Sequence, residues 1–357
     1  MFRALLIALL VGIQAASLTG LTSPALASSV SFGSTVNLSN DPAPSGLPVM
    51  ATSGKNVYVA WLNNSCISIC NSDVLFRASN DNGTTFGPTL KLSTTVNGDA
   101  ENQQIAAAGS NVYIVWDDNV SATENDVFFR ASTNNGDSFG SAINLCSSSS
   151  CGGTSSITTS YVPNVAAAGN NVTVVWFSDS TKNTTPNPIL YKTSTANGSD
   201  MGTVTATSLS GKAYPQTRSL APPQIAEVGK FVYVTWSDVR NTPNSQAFFA
   251  ASSNGGISFV FVPPFSLNSG TTVSTETDSY FALAAAGNGV YVTWTNDTLS
   301  TDNAMFRAST NNGQSFGSLV NLYRGQYTDL NPQVAVTGKN VYVVWSNTTS
   351  SGPQILD

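Results

Sequence analysis

The sequence predicts an all-β domain: a six-bladed β-propeller of four-stranded antiparallel blades. Three observations predict it. The six tryptophans of the chain, Trp61, Trp116, Trp176, Trp236, Trp294 and Trp345, recur at near-regular intervals. Each closes an apolar run of strand length, such as NVYIVW at residues 111–116. Around each tryptophan four such runs alternate with turn residues. In residues 101–146 they read QQIAAAG, NVYIVW, DVFFRAS and SFGSAINL. None is long enough for a good helix, and a repeat of four strands is the pattern of a propeller blade.

The elements follow in order. Residues 1–27 read as a secretory signal peptide: Arg3 gives a basic start, ALLIALLVGI an apolar core, and Ala25-Leu26-Ala27 a small-x-small cleavage site. Residues 28–357 are expected to form one propeller domain. Residues 30–39 match the fourth run of the repeat with no three runs before them. Copies follow at residues 48–93, 101–146, 161–210, 221–268 and 277–322. The sixth, from Asn331, stops after its third run, QILD. Strand 30–39 is therefore expected to complete the sixth blade, closing the ring and removing an open sheet edge.

Each run suits its place. The first is small (Ala106-Ala107-Ala108, Ala166-Ala167-Ala168), as strands crowded near an axis require. The second is apolar on both faces, as in Val341-Tyr342-Val343-Val344-Trp345, which fits a strand covered above and below by neighbouring blades.

Composition narrows the function. Without Arg3 the mature chain holds 13 basic and 20 acidic residues, a net charge of −7, which argues against nucleic acid as partner. No apolar segment after the leader could span a membrane. The absence of histidine removes the commonest general base and metal ligand. The four cysteines form two local pairs, Cys66/Cys70 and Cys146/Cys151, which in an exported protein read as small-loop disulfides. Asp117, Asp118, Glu124 and Asp126 could bind calcium, but no EF-hand spacing is present and solvated loops fit better; no cofactor or metal is expected.

The turn between the third and fourth runs reads SNDNGTTF at residues 79–86. Asn-Gly supplies positive φ angles, and Ser79 and Asp81 can bind backbone amides in the turn, with Gly83 at its apex and Phe86 returning to the apolar layer. This S-x-D-x-G-x-T-F pattern resembles the Asp-box of the sialidase superfamily. Later copies, STNNGDSF, SSNGGISF and STNNGQSF, keep the turn and lose the acid. The resemblance spans the mature chain as a repeat architecture.

That family holds a carboxylate with three arginines and uses a Tyr nucleophile, a Glu beside it and an Asp acid/base. Arg77, Arg130 and Arg307 share one repeat position, with Lys192 and Ala250 at its equivalents, and so read as architectural. The resemblance then leaves Arg218, Arg240 and Arg324 as ligand-binding candidates with Tyr323, and Tyr327, Glu276 and Asp99 as catalytic candidates. All map to the face that carries the second-to-third-run loops and the blade connections. The family's F/Y-R-I-P motif is absent, and DPAPSGLP (residues 41–48) stands in its place. The expected function is a secreted or cell-surface module that binds a glycan or protein. An exo-sialidase-type hydrolase is the alternative, and a structural surface-layer component the second.

Overall fold

The computed structural model describes residues 33–40, 43–66, 70–93, 98–121, 124–146, 157–180, 188–203, 206–209, 222–238, 246–260, 267, 277–297, 301–325, 330–349 and 352–356. The chain divides into a unit of residues 1–37 and a unit of residues 38–357. In the first, only 33–37 are described, and they carry no strand.

The second unit contains six antiparallel sheets. Sheet one is β1 (Ser45–Ser53), β2 (Asn56–Cys66), β3 (Cys70–Ser79) and β4 (Leu90–Lys91). Sheet two is β5 (Glu101–Ala108), β6 (Asn111–Ser121), β7 (Glu124–Ser132) and β8 (Ile143–Asn144). Sheet three is β9 (Ile157–Ala168), β10 (Asn171–Ser180), β11 (Ile189–Ser194) and β12 (Thr207–Ser208). Sheet four holds β13 (Gln224–Val228), β14 (Phe231–Asp238) and β15 (Gln246–Ser252). Sheet five is β16 (Thr277–Ala286), β17 (Gly289–Asp297), β18 (Asp302–Ser309) and β19 (Val320–Gly325). Sheet six holds β20 (Gln333–Thr337), β21 (Asn340–Thr349) and β22 (Gly352–Leu356). Within each sheet the strands pair in sequence order, as the repeat demands.

The first strands of successive sheets run beside one another, β1 by β5, β5 by β9, β9 by β13, β13 by β16 and β16 by β20. Four apolar cores lie between consecutive sheets. Trp116 packs with Tyr58 and Phe76, Trp176 with Tyr113 and Phe129, Trp236 with Phe177 and Tyr191, and Trp294 with Tyr233 and Phe249. Each of these tryptophans therefore reaches back to the sheet before its own. All four are at most 1% exposed. A buried aromatic of this size stabilises by about 3–5 kcal/mol relative to Ala.

The Asn-Gly turns do the same on a smaller scale. Asn82, Asn135, Asn197 and Asn312 have φ between 56° and 60°, each followed by a glycine of positive φ. Ser79 Oγ accepts the N–H of Gly83 at 2.9 Å, and Asp81 accepts from Thr85 N at 2.9 Å and Thr85 Oγ1 at 2.6 Å. The copies that lost the acid keep the geometry. Asn134, Asn254 and Asn311 accept the corresponding serine N–H and donate Nδ2 to its hydroxyl, each at 2.8 Å. The turn phenylalanine then meets the preceding sheet edge-on: Phe139 on Phe76 at 5.0 Å, Phe259 on Tyr191 at 4.9 Å, Phe316 on Phe249 at 4.8 Å.

Among the described residues, 33–40 carry no strand and β22 pairs only with β21, and β21 is half-buried with Val344 37% exposed. Residues 30–32 of the strand expected to close the ring lie outside the described residues. Two expectations need correction. Three of the fourth runs make much less ladder than their apolar length suggested: β4, β8 and β12 have two residues each, whereas β19 has six; the described part of sheet four's fourth run shows one bridge, Ala251–Val260. An outer strand has a ladder partner on one side only. Finally, Asp117, Asp118 and Asp126 are not in solvated loops. They lie on β6 and β7, because that hairpin runs on to Ser121 and Glu124 before it turns.

The turn contact predicts a graded substitution effect. At Gly109 (φ 61°) a Cβ would meet nothing within 4 Å, whereas at Gly136 (φ 81°) it would lie 2.7 Å from Phe76 Cζ. Gly109→Ala should cost about 1–2 kcal/mol, the left-handed backbone term. Gly136→Ala should cost about 1–3 kcal/mol more through overpacking. Urea unfolding of both variants checks this, and equal losses would show that the turn does not press on the neighbouring sheet.

Candidate functional site

The first strands share a feature that the sequence pattern did not reveal. Leu47, Asn102, Val162 and Tyr280 occupy one repeat position and all have positive φ, from 46° to 51°. Each coincides with a register shift against the second strand. Asn331, at the same repeat position before β20, has φ 40°. These are β-bulges, and a Leu, Val or Tyr in the left-handed region costs of order 1–3 kcal/mol each. The available signal was the proline that follows Leu47, Val162 and Asn331, which cannot donate to a ladder.

A bulge releases backbone groups from the ladder, and neighbouring sheets take them. The Gln103 side-chain amide donates to the carbonyl of Leu47. Asp117 Oδ1 accepts the N–H of Val162 at 3.2 Å, and its Oδ2 accepts from Asn102 Nδ2 at 3.3 Å. Asn164 Nδ2 donates to the carbonyl of Pro223 at 3.2 Å. Bulge residues are partly solvent-facing: Leu47 is 68% and Tyr280 37% exposed.

Other carboxylates on this side also accept hydrogen bonds, two of them across sheets. Asp99 Oδ1 accepts the N–H of Ser72 at 3.1 Å, tying the connection before sheet two to sheet one. Asp278, fully buried, accepts the N–H of Ala247 in sheet four at 2.9 Å, Trp294 Nε1 at 3.0 Å and Asn296 Nδ2 at 2.8 Å. Asp126 Oδ2 accepts from Asn144 Nδ2 at 2.6 Å. Burial, opposed by the Asn102 bond, pushes the Asp117 carboxyl up to about 7. Asp117 follows Trp116 directly, where the other copies carry Leu62, Phe177, Ser237, Thr295 and Ser346; that lone acid was its sequence signal.

Of the candidates, Arg324 and Tyr323 lie on β19. Arg324 is exposed, opposite Asn303 in the register; Tyr323 is half-buried with its ring 6.1 Å from that of Trp345. Asp99 is placed as above. Arg218, Arg240, Tyr327 and Glu276 lie outside the described residues, as do Cys151 and the leader. Cys66 and Cys70 are register partners across the β2–β3 hairpin, Cys146 is buried, and no free cysteine occurs among the described residues. The repeated basic position is architectural where it is seen: Arg77 Nε donates to Thr89 Oγ1 at 2.9 Å, and Arg307 is 6% exposed. No group of three or more His, Cys, Asp or Glu suited to a metal ion occurs among the described residues. No described helix is long and apolar enough to cross a membrane.

No family model and no curated protein sequence matches the chain. Solved structures do. The intramolecular trans-sialidase from Ruminococcus gnavus shares 9 in 10 of its length with this chain: 85% of this chain and 90% of that one are covered, at 8% identity and a TM-score of 0.50. A polysaccharide lyase of family PL25, an ulvan lyase, matches over 86% of this chain and 77% of its own, at 10% identity and a TM-score of 0.51. The Trypanosoma rangeli sialidase matches at 12% identity and a TM-score of 0.47, and the chain spans 53% of its length. The likeness to the first two is one of fold: this chain shares with them an all-β build of antiparallel sheets set in series.

The buried acids predict a pH effect. Burial also pushes Glu227 of β13 up to about 8, with the nearby Asn171 amide offsetting part. Both carboxyls stay protonated in the folded protein where the unfolded chain has already ionised. The folded state then binds more protons, so stability falls as pH rises from about 4 through about 7 for Asp117 and about 8 for Glu227. Urea midpoints between pH 4 and 8 should decline for the natural chain and flatten for Asp117→Asn with Glu227→Gln. A natural-chain midpoint that rises over this range would contradict the assignment.

Proposed function

We propose that the chain is a secreted or cell-surface carbohydrate-binding propeller that grips a glycan with the face bearing the bulges and β19, without cleaving it. What carries the reading is how three described carboxylates of that face are engaged. Asp99 and Asp278 each bind a backbone N–H of the preceding sheet, and Asp117 binds one of the sheet that follows. A glycosidase needs a carboxyl free to move a proton at the glycosidic oxygen. Arg324, exposed on β19, supplies a cation of the kind that holds an acidic sugar.

The fold neighbours favour a second reading, an exo-sialidase-type hydrolase. It would draw its arginines from Arg218, Arg240 and Arg324, and its Tyr–Glu pair from Tyr323 or Tyr327 with Glu276. The proposal also includes export after cleavage near Ala27, disulfides Cys66–Cys70 and Cys146–Cys151, and completion of the sixth blade by residues 30–39.

Two experiments test these readings. A glycan array with the mature chain should show binding that Arg324→Ala weakens roughly tenfold or more, while a fluorogenic sialoside stays intact. Sialoside turnover abolished by Arg324→Ala would establish the hydrolase instead. Deletion of residues 28–39 should lower the melting temperature by several degrees, since a ring left open exposes β22. An unchanged melting temperature would overturn the closure.

A further inference from the structure

The third sheet breaks the repeat in three places, and the breaks meet. Lys192 stands where other copies have Arg77, Arg130 and Arg307. In the turn after β11, Ala196 replaces the box acid, and an acid appears four residues later as Asp200, where the other copies have Thr85, Ser138, Ser258 or Ser315. The segment from there to β12 is two residues longer than its counterpart before β8. Lys192 and Asp200 line one cavity of about 250 Å³, together with Tyr191, Thr207 and Ile257 from the turn of sheet four.

The polar groups of this cavity are under-employed. Lys192 is 1% exposed, and its ammonium donates to the Met201 carbonyl at 3.3 Å, one bond for a group with three donors. In the other copies the box acid or amide holds the turn by bonding the residue at the Asp200 position; Ala196 cannot, and Asp200 Oδ1 is buried with no hydrogen-bond partner. A buried carboxylate oxygen without a partner costs free energy that only a ligand or ordered water recovers. Thr193 and Thr195 add hydroxyls to the lining, and Ile257 is 65% exposed at the mouth.

We propose that this cavity is a second binding site, separate from the face that carries β19, for one neutral sugar unit. A sugar hydroxyl donates and accepts at once, so a single ring can donate to Asp200 Oδ1 and accept from Lys192 Nζ. The two charges cancel, which suits a neutral ligand over an anion. The volume lies just under the ~300–1,000 Å³ of pockets for drug-sized ligands, room for a single ring rather than a chain.

The test is methyl NMR of the full mature chain with glucose, galactose, mannose and N-acetylglucosamine, with glycine and inorganic phosphate as comparators. At least one sugar should shift the Ile257 and Thr207 methyls saturably. Asp200→Ala and Lys192→Met should each weaken that binding at least roughly tenfold, the scale of a bond to a charged group. Ile257→Trp, on an exposed side chain that folding does not need, should block it when read at Thr207. Shifts by glycine or phosphate alone would overturn the ligand class. Sugar shifts that survive all three variants, or that never reach these methyls, would overturn the site. Array binding that is lost in Arg324→Ala and kept in Asp200→Ala belongs to the other face, so the two proposals fail separately.

Discussion

The structure depends on one repeated contact: the Asn-Gly turns of sheets two, three and five set against the third strand of the sheet before. Gly136 faces Phe76, Gly198 faces Phe129 and Gly313 faces Phe249, each too close to admit a Cβ. The serine of the turn fixes the backbone and the glycine lets it approach; in sheets two and five the phenylalanine three residues on packs edge-on against the aromatic it meets. Because turn and tryptophan both reach back to the preceding sheet, each sheet is docked by the next. A sheet of three or four strands that covers both faces in this way needs few charged residues, which fits a chain with 10% charge.

At the opposite ends of the strands the constraint is polar. The bulges leave backbone N–H and C=O groups outside the ladder, and buried groups of this kind must be bonded. The carboxylates and amides that bond them belong mostly to neighbouring sheets: Asp117 to Val162, Gln103 to Leu47, Asn164 to Pro223. The bulged ends of the first strands are thus held in shape by side chains of neighbouring sheets.

Much of the fold was legible because it is repeated. Six tryptophans, four runs per copy and Asn-Gly turns each state the same answer, and the structure places Trp116, Trp176, Trp236 and Trp294 in four successive cores. What escaped was local. The bulges have no composition signal beyond a following proline, since Leu47, Val162 and Tyr280 are residues that ordinarily favour strands. Asp117 read as a loop acid because strand length after a tryptophan cannot be judged from polar residues; the β6–β7 hairpin extends by backbone pairing alone. The candidate site was legible only in part. Arg324 and Tyr323 were expected in the connection after the fifth copy, which ended at Leu322, whereas β19 runs on to Gly325 and carries both. Asp99 turned out to be a backbone acceptor, a role set by a neighbour distant in sequence. Lys192 was read as one more member of an architectural ring, although the loss of the acid at Ala196 and its return at Asp200 were visible in the sequence.

The central claim is that Asp99, Asp117 and Asp278 hold sheets together rather than move protons. Its most direct measurement is the melting temperature and glycan binding of Asp99→Ala, Asp117→Ala and Asp278→Ala, made side by side. Each removes a carboxylate that accepts at least one backbone N–H, a loss of about 1–3 kcal/mol for the amide left behind. The account predicts melting temperatures lowered by several degrees, with Asp278→Ala most affected, and binding retained by the folded protein. Unchanged melting with loss of a measurable sugar-cleaving activity would contradict it.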